Sequence, residues 1–126
     1  MLQKYRIPCA VSSGSTRTEI AAILKSANLS HLLPIWFSGY DDVECGKPCP
    51  DVYLATAQAI GVQSQQCIVV EDTYTGMVAA RAAGAFVIAL SLSEKSEPSL
   101  DIADLKLTSF LDIFSLVKSI LTERNL

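Results

Sequence analysis

Short apolar runs alternate with segments of helical period along most of the chain. Ile7-Pro8-Cys9-Ala10-Val11 reads as a buried strand that stops at the polar run Ser12-Ser13-Gly14-Ser15-Thr16. Arg17 to Ala27 then follows the 3.6-residue period, with Ile20, Ile23 and Leu24 on one face and Asn28 as its stop. Leu29 to Leu33 reads as a short helical turn closed by Pro34, and Ile35-Trp36-Phe37-Ser38 as a second strand. A polar, proline-rich loop from Gly39 to Pro50 leads to a helix over Val52 to Ile60, with Asp51 as its N-cap and Gly61 as its terminator. Cys67 to Val70 is a third strand ending in Glu71-Asp72. A helix from Gly76 to Ala83, opened near Thr75 and stopped by Gly84, precedes a fourth strand, Ala85 to Leu90. Ser91 to Ser99 is polar and aperiodic. The tail from Phe110 to Leu121 is amphipathic, with Leu111, Phe114, Leu116, Val117, Ile120 and Leu121 as its expected buried face. Strands alternating with helices of about ten residues specify βαβ units, so the fold class is α/β with a mostly parallel sheet flanked by helices.

Composition narrows this to one domain with a real core. The chain has 126 residues, half of them hydrophobic and only 18% charged, which excludes a disordered tail. Ten basic and thirteen acidic residues give a net charge of −3, and no basic stripe is present to displace counterions from nucleic acid. No apolar run approaches the ~20 residues that span a bilayer. No apolar stretch follows the charges of Met1 to Arg6 as in a secretory signal, so a cytoplasmic location is expected, with neither nucleic acid nor membrane as partner. Of the four cysteines, Cys9 and Cys67 lie in apolar runs, and Cys45 and Cys49 flank Gly46-Lys47-Pro48 without a second ligand pair. Free thiols are the expectation, rather than zinc or a disulfide.

In open parallel sheets ligands bind beyond the carboxyl ends of the strands, and three strand ends here carry unusual polar groups. Ser12-Ser13-Gly14-Ser15 offers hydroxyls and free N–H groups to a phosphate-sized anion; capping of the next helix by Ser15 or Thr16 accounts for the same residues. Gly46-Lys47-Pro48-Cys49-Pro50-Asp51 presents a lysine on a loop stiffened by two prolines, suited to phosphate as a fixed point charge. A solvated lysine beside a turn is the alternative. Glu71-Asp72 places two adjacent carboxylates at the end of a strand, hard oxygen ligands for Mg²⁺; favourable interaction with the dipole of the following helix is the alternative. Read together, a hydroxyl, a lysine and an acidic pair describe a Mg²⁺-dependent phosphate site.

These stretches, with Val70-Glu71-Asp72-Thr73-Tyr74-Thr75-Gly76-Met77-Val78-Ala79-Ala80-Arg81-Ala82-Ala83-Gly84, resemble the later motifs of the haloacid dehalogenase superfamily. Their order and spacing are most similar to the branch of β-phosphoglucomutase and phosphoglycolate-type phosphatases. The resemblance implies a Rossmann-like core and phosphoryl transfer on a phosphorylated small molecule. Ser12 and Lys47 would act in catalysis, Ser12, Ser13, Gly14 and Lys47 in phosphate binding. Glu71 and Asp72 would be the Mg²⁺ ligands, Asp72 the more direct.

The departure from the family pattern is equally specific. Family members begin with an apolar strand ending in D-x-D, nucleophile and acid/base, followed by a cap domain. Only 11 residues precede Ser12 here, and no D-x-D occurs in the chain. Residues 1–126 are therefore expected to form a single partial core domain lacking the central first strand and the cap, with weak or no Mg²⁺ binding and negligible turnover alone. A non-catalytic α/β binding module derived from such a phosphatase is the other reading. Loss of the central strand would expose the edges of the strands ending at Ser12 and Glu71. Those edges could then pair directly, recruit a second copy, or accept a complementing N-terminal segment.

Overall fold

The structure, a computed structural model, describes residues 2–91 and 101–123. A 3-10 turn at Leu2–Tyr5 precedes five strands: β1 (Val11–Ser13), β2 (Trp36–Ser38), β3 (Ile68–Glu71), β4 (Phe86–Leu90) and β5 (Leu105–Leu107). Among the described residues four α-helices are interspersed with them, α1 (Arg17–Ser26), α2 (Asp51–Ala59) and α3 (Tyr74–Ala82) each between two strands and α4 (Phe110–Glu123) after β5. Every strand pairing is parallel, so the α/β class read from the alternation is the class observed. The polar stretch expected from Ser91 to Ser99 lies, beyond Ser91, outside the described residues.

The strands form two sheets. β1 pairs with β2, and β3, β4 and β5 follow in that order in the other. β1 and β3 are not hydrogen-bonded to each other, so direct pairing of these two edges is not the arrangement adopted. Parallel pairing engages alternate residues: Val11 N–H donates to the Ile35 carbonyl at 3.2 Å, and Ser13 C=O accepts from Gly39 N–H at 2.7 Å. The backbone of Ser12 therefore faces away from β2. By the same alternation Ile68 and Val70 turn their backbone groups away from β4.

Several element boundaries differ from those expected. β1 starts at Val11, where the apolar run was expected to end, because its pairing with Trp36–Ser38 begins there. The first residue of α2 is Asp51 itself; Pro50 holds the cap position, and its carbonyl accepts from Tyr53 and Leu54 N–H at 3.0 Å. α3 begins at Tyr74, capped by Thr73, whose hydroxyl accepts from Gly76 N–H at 3.2 Å. β5 has no counterpart in the sequence reading, since three residues are too few to display a period. α1 starts where expected, with Thr16 as N-cap, and ends one residue early at Ser26, with Ala27 as C-cap and Asn28 at φ 56° beyond it.

The core forms where α2 and α3 pack on one face of the larger sheet, joining Val52, Tyr53, Met77, Ala79, Ala80, Ala83, Val87 and Ala89. α2 also touches β1 and β2 and so ties the two sheets together. On α1, Ile20 and Leu24 are buried but Ile23 is 61% exposed. On α4, Leu121 is buried, whereas Phe114 and Leu111, the latter 76% exposed, lie open. The apolar stripes of both helices are wider than the surfaces that receive them. Among the described residues no helix is long and apolar enough to cross a membrane.

Candidate functional site

The strand ends bring the three polar stretches into one cleft of about 810 Å³, lined by Ser12–Ser15, Gly39, Tyr40, Glu44, Gly46, Lys47, Val70–Thr73 and Thr75. Every residue expected at the site (Ser12, Ser13, Gly14, Lys47, Glu71 and Asp72) therefore lines the same space.

Lys47 is its hub. Its ammonium donates to the Ser12 carbonyl at 3.1 Å and to Glu71 Oε1 at 2.5 Å, spanning the carboxyl ends of β1 and β3. The Ser12 carbonyl is the one that faces away from β2, so the lysine satisfies a strand edge as well as a carboxylate. Glu71 is buried, 7% exposed, which makes the pair mutually dependent: either charge alone would be desolvated without compensation.

Tyr53 and Gly76 complete the seat of Glu71, and sequence reasoning assigned a role to neither. The Tyr53 hydroxyl donates to Glu71 Oε1. Burial first, and the neighbouring Glu71 charge second, push that hydroxyl's pKa far above its ordinary value, so it remains a donor at any working pH. The Lys47 ammonium also lies 5.0 Å from the Tyr53 ring centroid, on the electron-rich face that attracts cations. A Cβ at Gly76 would overlap the Glu71 carboxylate; only glycine lets the carboxylate settle against the first turn of α3. Thr73 Oγ1 adds a longer contact to Oε2 at 3.4 Å. The Asp51-Val52-Tyr53 run carried the available signal for Tyr53, because it continues the lysine loop directly into α2.

The hydroxyl of Ser12 has a partner already. Thr56 Oγ1 donates to the Val52 carbonyl at 2.6 Å and lies 2.8 Å from Ser12 Oγ, so the Ser12 proton is directed at Thr56. Ser13 Oγ accepts from Ser15 N–H at 3.1 Å, forming a small turn. Around Gly14 the space is open, with no atom within 4 Å of where a Cβ would stand.

Asp72 differs from Glu71 in being exposed and making no hydrogen bond or ion pair among the described residues. An exposed, uncommitted carboxylate fits a Mg²⁺ ligand, whereas both Glu71 oxygens are engaged by Lys47, Tyr53 and Thr73. Among the described residues no group of three or more potential ligands is gathered. The Asp41-Asp42 pair is structural: Asp41 accepts from Arg17 N–H at 2.8 Å, and Asp42 binds Ser38 N–H at 2.7 Å and the Arg17 guanidinium at 2.6 Å. Those bonds hold the Asp42 carboxyl below its usual value.

One expectation is overturned. Cys45 and Cys49, expected as free thiols, are joined in a disulfide with their Cα atoms 5.7 Å apart. A tight turn, Cys49 N–H to the Gly46 carbonyl at 2.9 Å, brings together side chains that spacing alone left unpaired. Cys9 and Cys67 are free, as expected.

Residues 1–84 match the haloacid dehalogenase-like hydrolase family. Hexitol phosphatase A of Escherichia coli K12 is 38% identical over 112 residues, which cover 89% of this chain and 50% of that protein. A family hydrolase of Deinococcus radiodurans R1, solved with bound phosphate and sodium, superposes with a TM-score of 0.83 at 29% identity, over 94% of this chain and 55% of that one. The β-phosphoglucomutase of Clostridium difficile shares the fold, with a TM-score of 0.76 at 20% identity over 98% of this chain and 52% of that one. The matched stretch spans about half the length of that hexitol phosphatase and of a validoxylamine A 7'-phosphate phosphatase of Streptomyces hygroscopicus, and between 8% and 42% of other curated relatives.

Proposed function

This chain belongs to the haloacid dehalogenase-like hydrolases, and from that premise we propose that it forms the phosphate- and Mg²⁺-binding half of a phosphoester-hydrolysing site. The attacking carboxylate is supplied by an extended segment lying between β1 and β3. The observation that carries this reading is Lys47, held between the Ser12 carbonyl and Glu71 at the ends of two strands, β1 and β3, that are not paired to each other and whose other edges have no strand partner among the described residues.

In this reading the substrate is a phosphorylated small molecule, a class consistent with the phosphatase named above. Its phosphoryl oxygens accept from the Lys47 ammonium, with the Ser13 hydroxyl and the backbone at Gly14 lining the same cleft; the Ser12 hydroxyl is turned to Thr56, and Ser12 acts through the carbonyl that holds Lys47. Glu71 aims the lysine, and Tyr53 holds Glu71 in place while the lysine turns toward the anion. Asp72 would hold Mg²⁺, which would neutralise phosphoryl charge, while Glu71, expected as a second ligand, is committed to Lys47, Tyr53 and Thr73 and positions the lysine instead. Such transfer rests mainly on positioning and charge stabilisation, but it also needs an attacking group. No D-x-D occurs in these 126 residues, and the nearby Asp42 is committed to Arg17 and Ser38. The 126 residues alone therefore bind inorganic phosphate without turning over a phosphoester. The same strand edges could take a second copy of the chain, the competing occupant.

The test compares the chain with a version carrying an N-terminal apolar strand that ends in D-x-D. Hydrolysis of an aryl phosphate, dependent on Mg²⁺ and on Lys47, is expected only in the extended version. Turnover by the 126 residues themselves would overturn the donated nucleophile, and failure of either version to bind phosphate would overturn the site. Sedimentation showing a stable dimer of the short chain that dissociates on extension would identify the second copy as the occupant in its absence.

A further inference from the structure

The disulfide closes a five-residue ring, Cys45 to Cys49, with Lys47 at its centre. Neither the family assignment nor the proposed phosphate chemistry requires that bond. The ring is a rigid unit: Cys49 N–H bonds the Gly46 carbonyl at 2.9 Å, and Gly46 packs so closely on Gly39 that an added Cβ would lie 2.9 Å from the Gly39 carbonyl oxygen. Gly39 in turn continues β2 by donating to Ser13 C=O at 2.7 Å. The crosslink thus fixes the loop that presents the lysine against the loop that carries the hydroxyls.

The four cysteines also differ in access. Cys45 is exposed, whereas Cys49, like Cys9 and Cys67, is half-buried. Cys9 and Cys67 are partly buried, burial raises the pKa of both thiols, and their Sγ atoms contact the Ile7 and Gln63 carbonyls. Thiolate is the attacking species in exchange, so these two are poor internal rivals for the bond. An accessible disulfide on a functional loop has the character of those that exchange, rather than of those that staple a core.

We propose that Cys45–Cys49 is a thiol–disulfide exchange site through which a dithiol reductant controls how Lys47 is presented to the cleft. A thiolate of the reductant attacks the exposed Cys45 sulfur; the S–S bond breaks, and Cys49 leaves as thiolate and takes up a proton. The second thiol of the reductant then attacks its own sulfur in the mixed disulfide and releases Cys45, which is protonated in turn. Two electrons and two protons pass to the loop, and the reductant becomes a disulfide; exchange with an oxidised dithiol reverses the step. The oxidised ring holds Lys47 ready for an anion, and the reduced loop must be ordered when the anion binds. This inference rests on the phosphate site proposed above for its consequence, but not for its chemistry.

The chain, prepared oxidised and after treatment with dithiothreitol, is titrated with inorganic phosphate while the Lys47 and Glu71 amide signals are followed by NMR. Alkylation and mass measurement count the thiols. The oxidised chain should show two alkylatable thiols and the reduced chain four, with Lys47 and Glu71 signals moving on reduction. Phosphate affinity should weaken about fivefold on reduction, the scale on which releasing a pre-organised loop is felt. Cys45→Ser/Cys49→Ser should match the reduced chain whether or not dithiothreitol is present. Four thiols in the chain after exposure to an oxidised dithiol, or equal phosphate affinity in both states, would overturn the proposal. If neither state binds phosphate, the phosphate site itself fails; unmoved Lys47 and Glu71 signals would then overturn the redox coupling as well, and moved signals would sustain it.

Discussion

β4 is hydrogen-bonded on both edges, to β3 and β5, and its Val87, Ile88 and Ala89 are sealed from solvent. β3, beside it, is bonded to a strand on one edge among the described residues and leaves Ile68 47% and Val70 40% exposed. In sequence the two are alike, Ile-Val-Val-Glu against Phe-Val-Ile-Ala-Leu, both near-continuous apolar runs of the kind found in strands covered on both faces. The difference lies in what surrounds them. The α2–α3 core covers Val69, Val87 and Ala89; the opposite face of β3 receives no comparable cover among the described residues. Covering Ile68 and Val70 fully would be worth on the order of 1–3 kcal/mol at the usual value per buried side chain. That is a substantial inducement for another segment to lie there.

Substitution at the paired positions Ile88 and Val70 sharpens this contrast most. Ile88→Ala should cost about 3 kcal/mol, as buried aliphatic truncations do, whereas Val70→Thr should stay within about 0.5 kcal/mol, as exposed substitutions do. Urea unfolding of the two variants measures both, and an equal loss would mean that β3 is covered in solution. The second contrast lies at the hinge between the sheets. Lys47→Met should destabilise by about 3 kcal/mol, because it leaves Glu71 buried and unpaired. Adding Glu71→Gln should recover most of that loss, since the stranded charge is then gone. A double variant no better than the single would show that the lysine stabilises through packing instead.

Smaller effects follow around the same hub. Tyr53→Phe keeps the ring and removes the donor to Glu71, with an expected loss of about 1–2 kcal/mol in the same unfolding measurement. A neutral result would detach Tyr53 from the seat of Glu71. The smallest expected effect is on the two-stranded side, where Asp42 joins Arg17 to Ser38. Asp42→Ala should cost about 1 kcal/mol at neutral pH, a modest figure because Arg17 is half-exposed. The Asp42 carboxyl sits below its ordinary value of 3.8. Its ionic contribution is thus complete above that value and is lost as pH falls through the lower folded-state value. The gap between wild type and variant should therefore be flat from pH 5 to 7 and narrow in more acidic solution.

Local pattern settled much of this molecule. The alternation of apolar runs and helical periods specified an α/β chain with parallel strands, and Asn28 marks a helix end by chemistry that any short window displays. The polar groups after β1 and β3 and on the lysine loop were legible too, because a strand's end is where an apolar run meets polar residues. Other features depended on groups far apart in the chain. Tyr53 meets Glu71 across 18 residues and Ser12 meets Thr56 across 44, and no periodicity encodes such encounters. The three-residue strand β5 was too short to show a period, and β1 was displaced because its partner rather than its own apolar run chose the register. The Cys45–Cys49 bond required the turn that brings the two sulfurs together. Which apolar residues end up covered, Ile88 but not Ile68, was decided by the neighbours that tertiary packing supplies; hydrophobicity states only what burying a side chain would gain.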